Sequence, residues 1–201
     1  MKTIWFASNN ENKINEMKYL FPEIEIKSIK NFNSNIDIPE NEPTFEGNSL
    51  YKAKFLANLV GEPVIADDSG ICIEGLNNFP GIYSARWAKP EKDWNIINKM
   101  VLDKMLENNL INQEDRKAYF ISVTSFVDLK NNIEEIFIGK TEGIIVKEQL
   151  GENGFAYDKI FKPLNCELTY AQMSKEEKSK ISHRRKSIDL LKKFLKDHKY
   201  L

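Results

Sequence analysis

Pro63-Val64-Ile65-Ala66-Asp67-Asp68-Ser69-Gly70-Ile71-Cys72-Ile73 is the stretch on which the reading of this chain turns. An apolar run ending at Ala66 delivers two adjacent carboxylates and a hydroxyl to a glycine, and apolar residues resume at Ile71. That order predicts two short strands, Val64–Ala66 and Ile71–Glu74, around an acidic turn at the edge of a sheet. Carboxylates presented there can hold a divalent cation or activate a water. The same residues also suit an ordinary solvated turn.

Outward from this stretch, strands and helices alternate. Met1 to Ala7 opens the chain, and Lys2–Ala7 reads as a buried strand. Asn9 or Asn10 can cap a following helix with Ile14, Met17 and Leu20 on one face. Ile24–Ile29 alternates like a second strand, and Asn31–Pro43, rich in Asn, Pro and acid, reads as a loop. Pro43-Thr44 starts a helix that runs to about Val60 and ends at Gly61. Gly75–Gly81 is a loop, and Asp93 caps an amphipathic helix to about Glu107. Ala118–Leu129 and Ile133–Val146, joined by Lys130-Asn131-Asn132, predict a hairpin. Gly151–Asp158 is a second glycine-bearing loop, and Ser174–Leu195 is helical with a lysine-rich outer face. The pattern predicts an α/β fold with a mixed sheet, because the hairpin argues against a purely parallel doubly wound one.

The 201 residues are 41% hydrophobic and 29% charged, with a formal net charge of −1. No apolar run approaches the roughly 20 residues of a membrane span. The near-neutral balance argues against broad nucleic-acid binding. The amino-terminal apolar run is too short for a secretory signal, and Cys72 and Cys166 have no CxxC or CxxH neighbourhood. The expectation is a soluble, cytoplasmic protein without zinc or disulfide chemistry. Arginine is scarce among the basic residues, so Arg86, Arg116, Arg184 and Arg185 draw notice where a planar fork would matter.

Four other segments carry chemistry. Ser8-Asn9-Asn10-Glu11-Asn12-Lys13 lies where the first strand meets the first helix, a natural phosphate site with Lys13 as a point charge, or simply a capped helix. It lacks the glycines of a P-loop. Glu40 could add an oxygen ligand beside Asp68, and Lys52 lies on the inner or flanking face of the second helix. Gly151–Asp158 sets two aromatics beside flexible backbone, where a base or sugar could stack, or where the rings could dock on the core. His183-Arg184 could donate to a carbonyl or phosphate, or end a basic solvated helix.

Six ordered segments then stand together: SNNENK from Ser8, PENEPTFEGNS from Pro39, ADDSG from Ala66, FPGIYSAR from Phe79, GFAYDKIF from Gly154 and TYAQMSKEEKSKISHR from Thr169. In order and spacing they resemble the inosine triphosphatase family, the Ham1-like hydrolases of deaminated purine nucleotides. The resemblance implies one domain over residues 1–201, with a mixed, elongated twisted sheet and flanking helices in two lobes around a central substrate cleft. It implies hydrolysis of ITP, dITP and XTP to the monophosphate and pyrophosphate, with magnesium, in a homodimer that engages neither nucleic acid nor membrane.

By position, the resemblance makes Ser8, Asn9, Asn10, Glu11, Asn12 and Lys13 triphosphate contacts. Glu40 and Asp68 become metal ligands, with Asp68 also the general base, and Lys52 and Ser69 further substrate contacts. Phe155, Ala156, Tyr157, Asp158, Lys178, His183 and Arg184 would surround the nucleoside, the last two reading the base. Asp67 keeps a structural reading. Ala156, Lys159, Arg185 and Gln172 depart from the family pattern, which has glycine, proline, glycine and glutamate there. A pyrophosphatase for another modified nucleotide and a non-catalytic nucleotide-binding protein are the alternative readings.

Overall fold

The computed structural model describes residues 2–33 and 36–201. Met1, and residues 34 and 35 of the expected Asn31–Pro43 loop, lie outside them. The strands are Thr3–Phe6 (β1), Glu25–Ser28 (β2), Val64–Ile73 (β3), Phe79–Pro80 (β4), Lys117–Asp128 (β5), Ile133–Ile145 (β6) and Phe161–Pro163 (β7). The helices are Glu11–Leu20 (α1), Ile29–Phe32 (α2), Phe45–Val60 (α3), Trp94–Glu107 (α4), Lys175–Ile181 (α5) and His183–Asp197 (α6). Hydrogen bonding orders the sheet β2-β1-β3-β5-β6-β7, with β4 paired to β3. β1 is parallel to both β2 and β3, whereas β3–β4 and β6–β7 are antiparallel, so the sheet is mixed as expected.

The chain divides into two compact units. The first comprises Met1–Asp68, Ser122–Gly139 and Arg184–Leu201. Its sheet is buried on both faces, which is why β1 and the start of β3 read as continuous apolar runs. On one face Phe6, Ile65 and Phe126 pack with Ile14 and Met17 of α1 and Ile188 and Leu191 of α6. On the other, Val64, Ala66 and Val127 pack with Ala53, Leu56 and Ala57 of α3. Successive residues of a strand point to opposite faces, so β3 sends Ile65 toward α1 and α6 and Ala66 toward α3. The second unit comprises Ser69–Ile121 and Lys140–His183. Its core joins Ile71 and Ile73 to Ile97, Val101, Phe120, Tyr157, Phe161 and Tyr170.

The helix boundaries follow the capping residues. Asn10 accepts from the N–H groups of Asn12 and Lys13, Thr44 from Gly47 and Asp93 from Asn95, and Gly61 closes α3 in the left-handed region at φ 66°. Three expectations need correction. β3 is one continuous strand from Val64 to Ile73, not two strands around an acidic turn. Gly70 is not among the glycines with positive φ, and buried cations, described below, replace the solvent that the carboxylates would otherwise require. The carboxy-terminal helix is broken at Ser182, whose extended backbone (ψ 151°) separates α5 from α6. A short helix, α2, takes in the first residues of the expected Asn31–Pro43 loop, because the Asn31 side chain accepts from the Ser28 N–H at 2.8 Å and closes one turn.

Candidate active site

The strand alternation that sorts Ile65 from Ala66 continues into the acidic pair. Asp67 falls on the α1/α6 face and Asp68 on the α3 face. Both are buried, at 1% and 3% exposure. Each therefore needs cations within the protein, and each face supplies different ones.

Asp67 receives the Lys13 ammonium at 2.8 Å, the Ser122 hydroxyl at 2.5 Å and the Arg184 guanidinium at 3.3 Å. Burial would raise its pKa, but Arg184, Lys13 and Ser122 override that and hold the carboxyl well below the ordinary range. Arg184 is buried as well and pairs with Glu16. Burial disfavours its charge, yet Asp67 and Glu16 more than restore it.

On the other face, the Lys52 ammonium lies 2.5 Å from Glu40 and 3.6 Å from Asp68 and donates to the Asp67 carbonyl at 3.0 Å. Burial would lower the Lys52 pKa, but Asp68 and Glu40 raise it on balance. For Asp68 burial dominates: the pKa is raised despite Lys52 and Lys13, with Glu40 and Asp67 adding to the rise. A buried carboxylate with a raised pKa beside cations is the electrostatic setting of a general base. Two carboxylates converging on one cation also test the fit to magnesium. The Lys52 ammonium marks a position that oxygen ligands from Glu40 and Asp68 both address, and magnesium commonly takes only one or two protein carboxylates. Glu40 and Asp68 fit that ion.

Around the start of α1, the Ser8 hydroxyl accepts from the Asn10 N–H at 3.2 Å and the Asn9 amide donates to the Ile36 carbonyl at 2.8 Å. Asn12 is exposed. Glu11 is exposed and pairs with Lys30. Of this segment, the Lys13 side chain is the one the structure brings to the carboxylates of β3.

The second unit gathers the residues expected at the nucleoside other than Arg184, which belongs to the first. Asp158 is buried, and one of its oxygens accepts from the Phe155 N–H at 2.8 Å and the Lys178 ammonium at 2.6 Å. Lys178 also stands over the rings of Phe155 and Tyr170, at 5.0 and 5.2 Å. Tyr157 turns inward. Its hydroxyl accepts from the Trp87 indole at 2.8 Å and donates to the Ser84 carbonyl at 2.6 Å, tying this loop to the Phe79–Arg86 segment. Ala156 sits at φ 56°. The backbone thus keeps a glycine-type conformation where the family pattern has glycine, and the Ala156 carbonyl is held by the buried Asn98 amide at 3.0 Å. His183 is buried and stacks on Phe120, centroids 4.7 Å apart and planes 8° from parallel. Ser69 is half-buried at the start of this unit's share of β3.

Sequence reasoning missed the partners of these groups. Glu16, Ser122, Trp87 and Asn98 carry no motif. Only Glu16 had a usable signal, because its place three residues after Lys13 sets it on the same face of α1.

A mixed α/β sheet whose β3 strand buries one carboxylate on each face, met by Lys13 and Arg184 on one and Lys52 on the other, is the setting of an enzyme that handles phosphate. Comparison with known proteins names the family: the sequence model of the Ham1 family matches residues 4–194, and the chain belongs to that family. It is 41% identical over 201 residues to a dITP/XTP pyrophosphatase of Staphylococcus aureus (strain Mu50), covering 99% of both chains. It is 38% identical to one of Clostridium tetani, covering 98% of both. Among solved structures, the Staphylococcus aureus Ham1 protein aligns at a TM-score of 0.87 and 40% identity, covering 98% of this chain and 100% of that one. A HAM1 protein from Coxiella burnetii aligns at a TM-score of 0.88 and 34% identity, with the same coverage. No helix among the described residues is long and apolar enough to cross a membrane.

Proposed function

We propose that this protein is a magnesium-dependent pyrophosphatase that hydrolyses dITP, ITP and XTP to the monophosphate and pyrophosphate. The carrying observation is the convergence of the Glu40 and Asp68 carboxylates on the single cationic position that Lys52 marks. The names of relatives that match over nearly the whole chain support the substrate class. Lys13 and Lys52 neutralise the charge that grows on the departing pyrophosphate. Asp68 orients a water and takes its proton as the water oxygen bonds to the α-phosphorus and the bond to the β-phosphate bridge breaks. Glu40 and Asp68 would hold the magnesium ion, which when bound supplies further charge neutralisation on the phosphate oxygens.

Phe155–Asp158 and Lys178 take the nucleoside. His183 and Arg184 donate to the carbonyl at position six of hypoxanthine or xanthine. Adenine presents a donor there, and two donors facing each other leave both unpaired, a mismatch worth several orders of magnitude in kcat/KM. The protein acts as a homodimer in the cytoplasm.

Initial rates on ITP, dITP, XTP, ATP, GTP, dUTP and methylated nucleotides, with magnesium and with the products identified, test this. The expected result is pyrophosphate release from the first three and a much lower rate with the others. No pyrophosphate from any of the three, in folded protein with magnesium, would falsify the proposal.

A further inference from the structure

Asp67 has a function that neither a turn former nor a metal ligand would have. We propose that it is a positioning residue, which holds Lys13 for the triphosphate and Arg184 for the base on one buried carboxylate. The proposal rests on the reading of Lys13 and Arg184 as substrate contacts.

Four observations carry it. The alternation of β3 turns Asp67 away from Asp68 and toward α1 and α6, so it is not the partner of Glu40. Its side chain is fully buried, whereas that of Lys13 is 14% exposed. Its partners come from three separate elements: Lys13 from α1, Ser122 from β5 and Arg184 from α6. The carboxylate is also fixed from behind. The Ser122 hydroxyl lies 3.1 Å from that of Ser187, which lies 3.0 Å from that of Thr124 and donates to the Arg184 carbonyl at 3.0 Å.

A lysine is a point charge on a flexible stem and gains most from such an anchor. Arg184 has a second anchor in Glu16. Removing Asp67 therefore takes the carboxylate from Lys13 and one anchor from Arg184. Displacement by about 1 Å of a group that orients substrate can cost up to about a hundredfold in rate.

The test compares Lys13→Gln, Asp67→Asn and the double variant with the parent. It uses steady-state kinetics on magnesium ITP and ATP, calorimetric binding of ITP in EDTA, and thermal melting. Lys13→Gln should weaken ITP binding in EDTA and raise KM about tenfold while leaving the ITP-to-ATP ratio of kcat/KM unchanged, since both substrates carry the same triphosphate. The double variant should match Lys13→Gln in its KM for ATP, whose base Arg184 does not pair with, because Asp67 acts on the phosphates through Lys13. Its ITP-to-ATP ratio should fall about tenfold further, because Arg184 loses an anchor.

Where Asp67→Asn alone does not fold, the double variant decides, since it removes one positive and one negative charge together. A ratio in the double variant equal to that of Lys13→Gln overturns the proposal, as does parental KM and ratio in a folded Asp67→Asn. A parent that does not turn over ITP instead removes the functional reading underneath, and that shows before any variant is made.

Discussion

Gly154→Ala should disrupt the loop that carries Phe155. Gly154 adopts φ +75°, and a Cβ built there would lie 2.0 Å from an Asp158 carboxylate oxygen and 2.9 Å from its Cγ. The left-handed backbone alone costs an alanine about 1–2 kcal/mol. The larger effect is steric. The methyl displaces the carboxylate that accepts from the Phe155 N–H and the Lys178 ammonium. Hydrogen bonds to a charged group are worth about 1.5–3 kcal/mol, and the lower half of that range applies because Lys178 can rehydrate. The sum is about 3–4 kcal/mol. For a chain of this length each kcal/mol lowers the midpoint by about 2–4 °C, so the expected fall is roughly 6–16 °C.

Calorimetric melting of parent and variant reads the stability effect, and the KM for ITP reads the displacement of Phe155 and Lys178. Ala156→Gly is the control. It relieves a similar backbone cost, gains about 0.5–1 kcal/mol of unfolded-chain entropy and forfeits part of one buried methyl, so it should melt within about 4 °C of the parent. A Gly154→Ala variant that melts within about 2 °C of the parent and keeps its KM would refute the reasoning.

Asp68→Asn should lower kcat by about 10²–10⁴-fold, the range of a general base. It should not lower the melting temperature. A carboxyl whose folded pKa is raised loses stability as pH climbs through that value, and the neutral amide avoids the loss. A variant at once inactive and several degrees less stable at pH 7 would contradict this. Lys52→Met removes the largest charge opposing the Asp68 shift. The acid limb of the kcat/KM profile should therefore move to higher pH, and an unmoved limb would separate Asp68 from the ionisation that controls rate. Tyr157→Phe leaves the buried Ser84 carbonyl and the Trp87 indole N–H without their shared hydroxyl, at about 1–3 kcal/mol. Melting checks it, and a parental midpoint would show that the hydroxyl bridge contributes nothing.

Local signals in the sequence carried most of the architecture. Thr44, Gly61 and Asp93 marked the ends of α3 and the start of α4 because capping is a property of single residues. The β5–β6 hairpin was legible from two long strand-like runs and the Lys130-Asn131-Asn132 turn between them. What failed was the acidic stretch itself. Asp-Asp-Ser-Gly has the chemistry of a turn, and only Lys13, Lys52, Ser122 and Arg184, distant in sequence, make it tolerable inside a strand. Tertiary neutralisation overrode local propensity there.

Ser182 misled for the opposite reason, since a charged helical pattern runs through it while its backbone is extended. The scarcity of arginine drew notice to Arg184, whose buried guanidinium pairs with Asp67 and Glu16. It pointed equally to Arg116, whose buried guanidinium donates to the carbonyls of Leu110, Ile145 and Val146. Composition flagged two buried forks without saying what either one holds.

The central claim is that water, activated at Asp68, attacks the α-phosphorus. Hydrolysis of ITP in ¹⁸O-water, with the products resolved by mass spectrometry, tests it most directly. The label should appear in the nucleoside monophosphate and not in pyrophosphate. Label in pyrophosphate, or release of orthophosphate with a nucleoside diphosphate, would place the attack at another phosphorus and contradict the account.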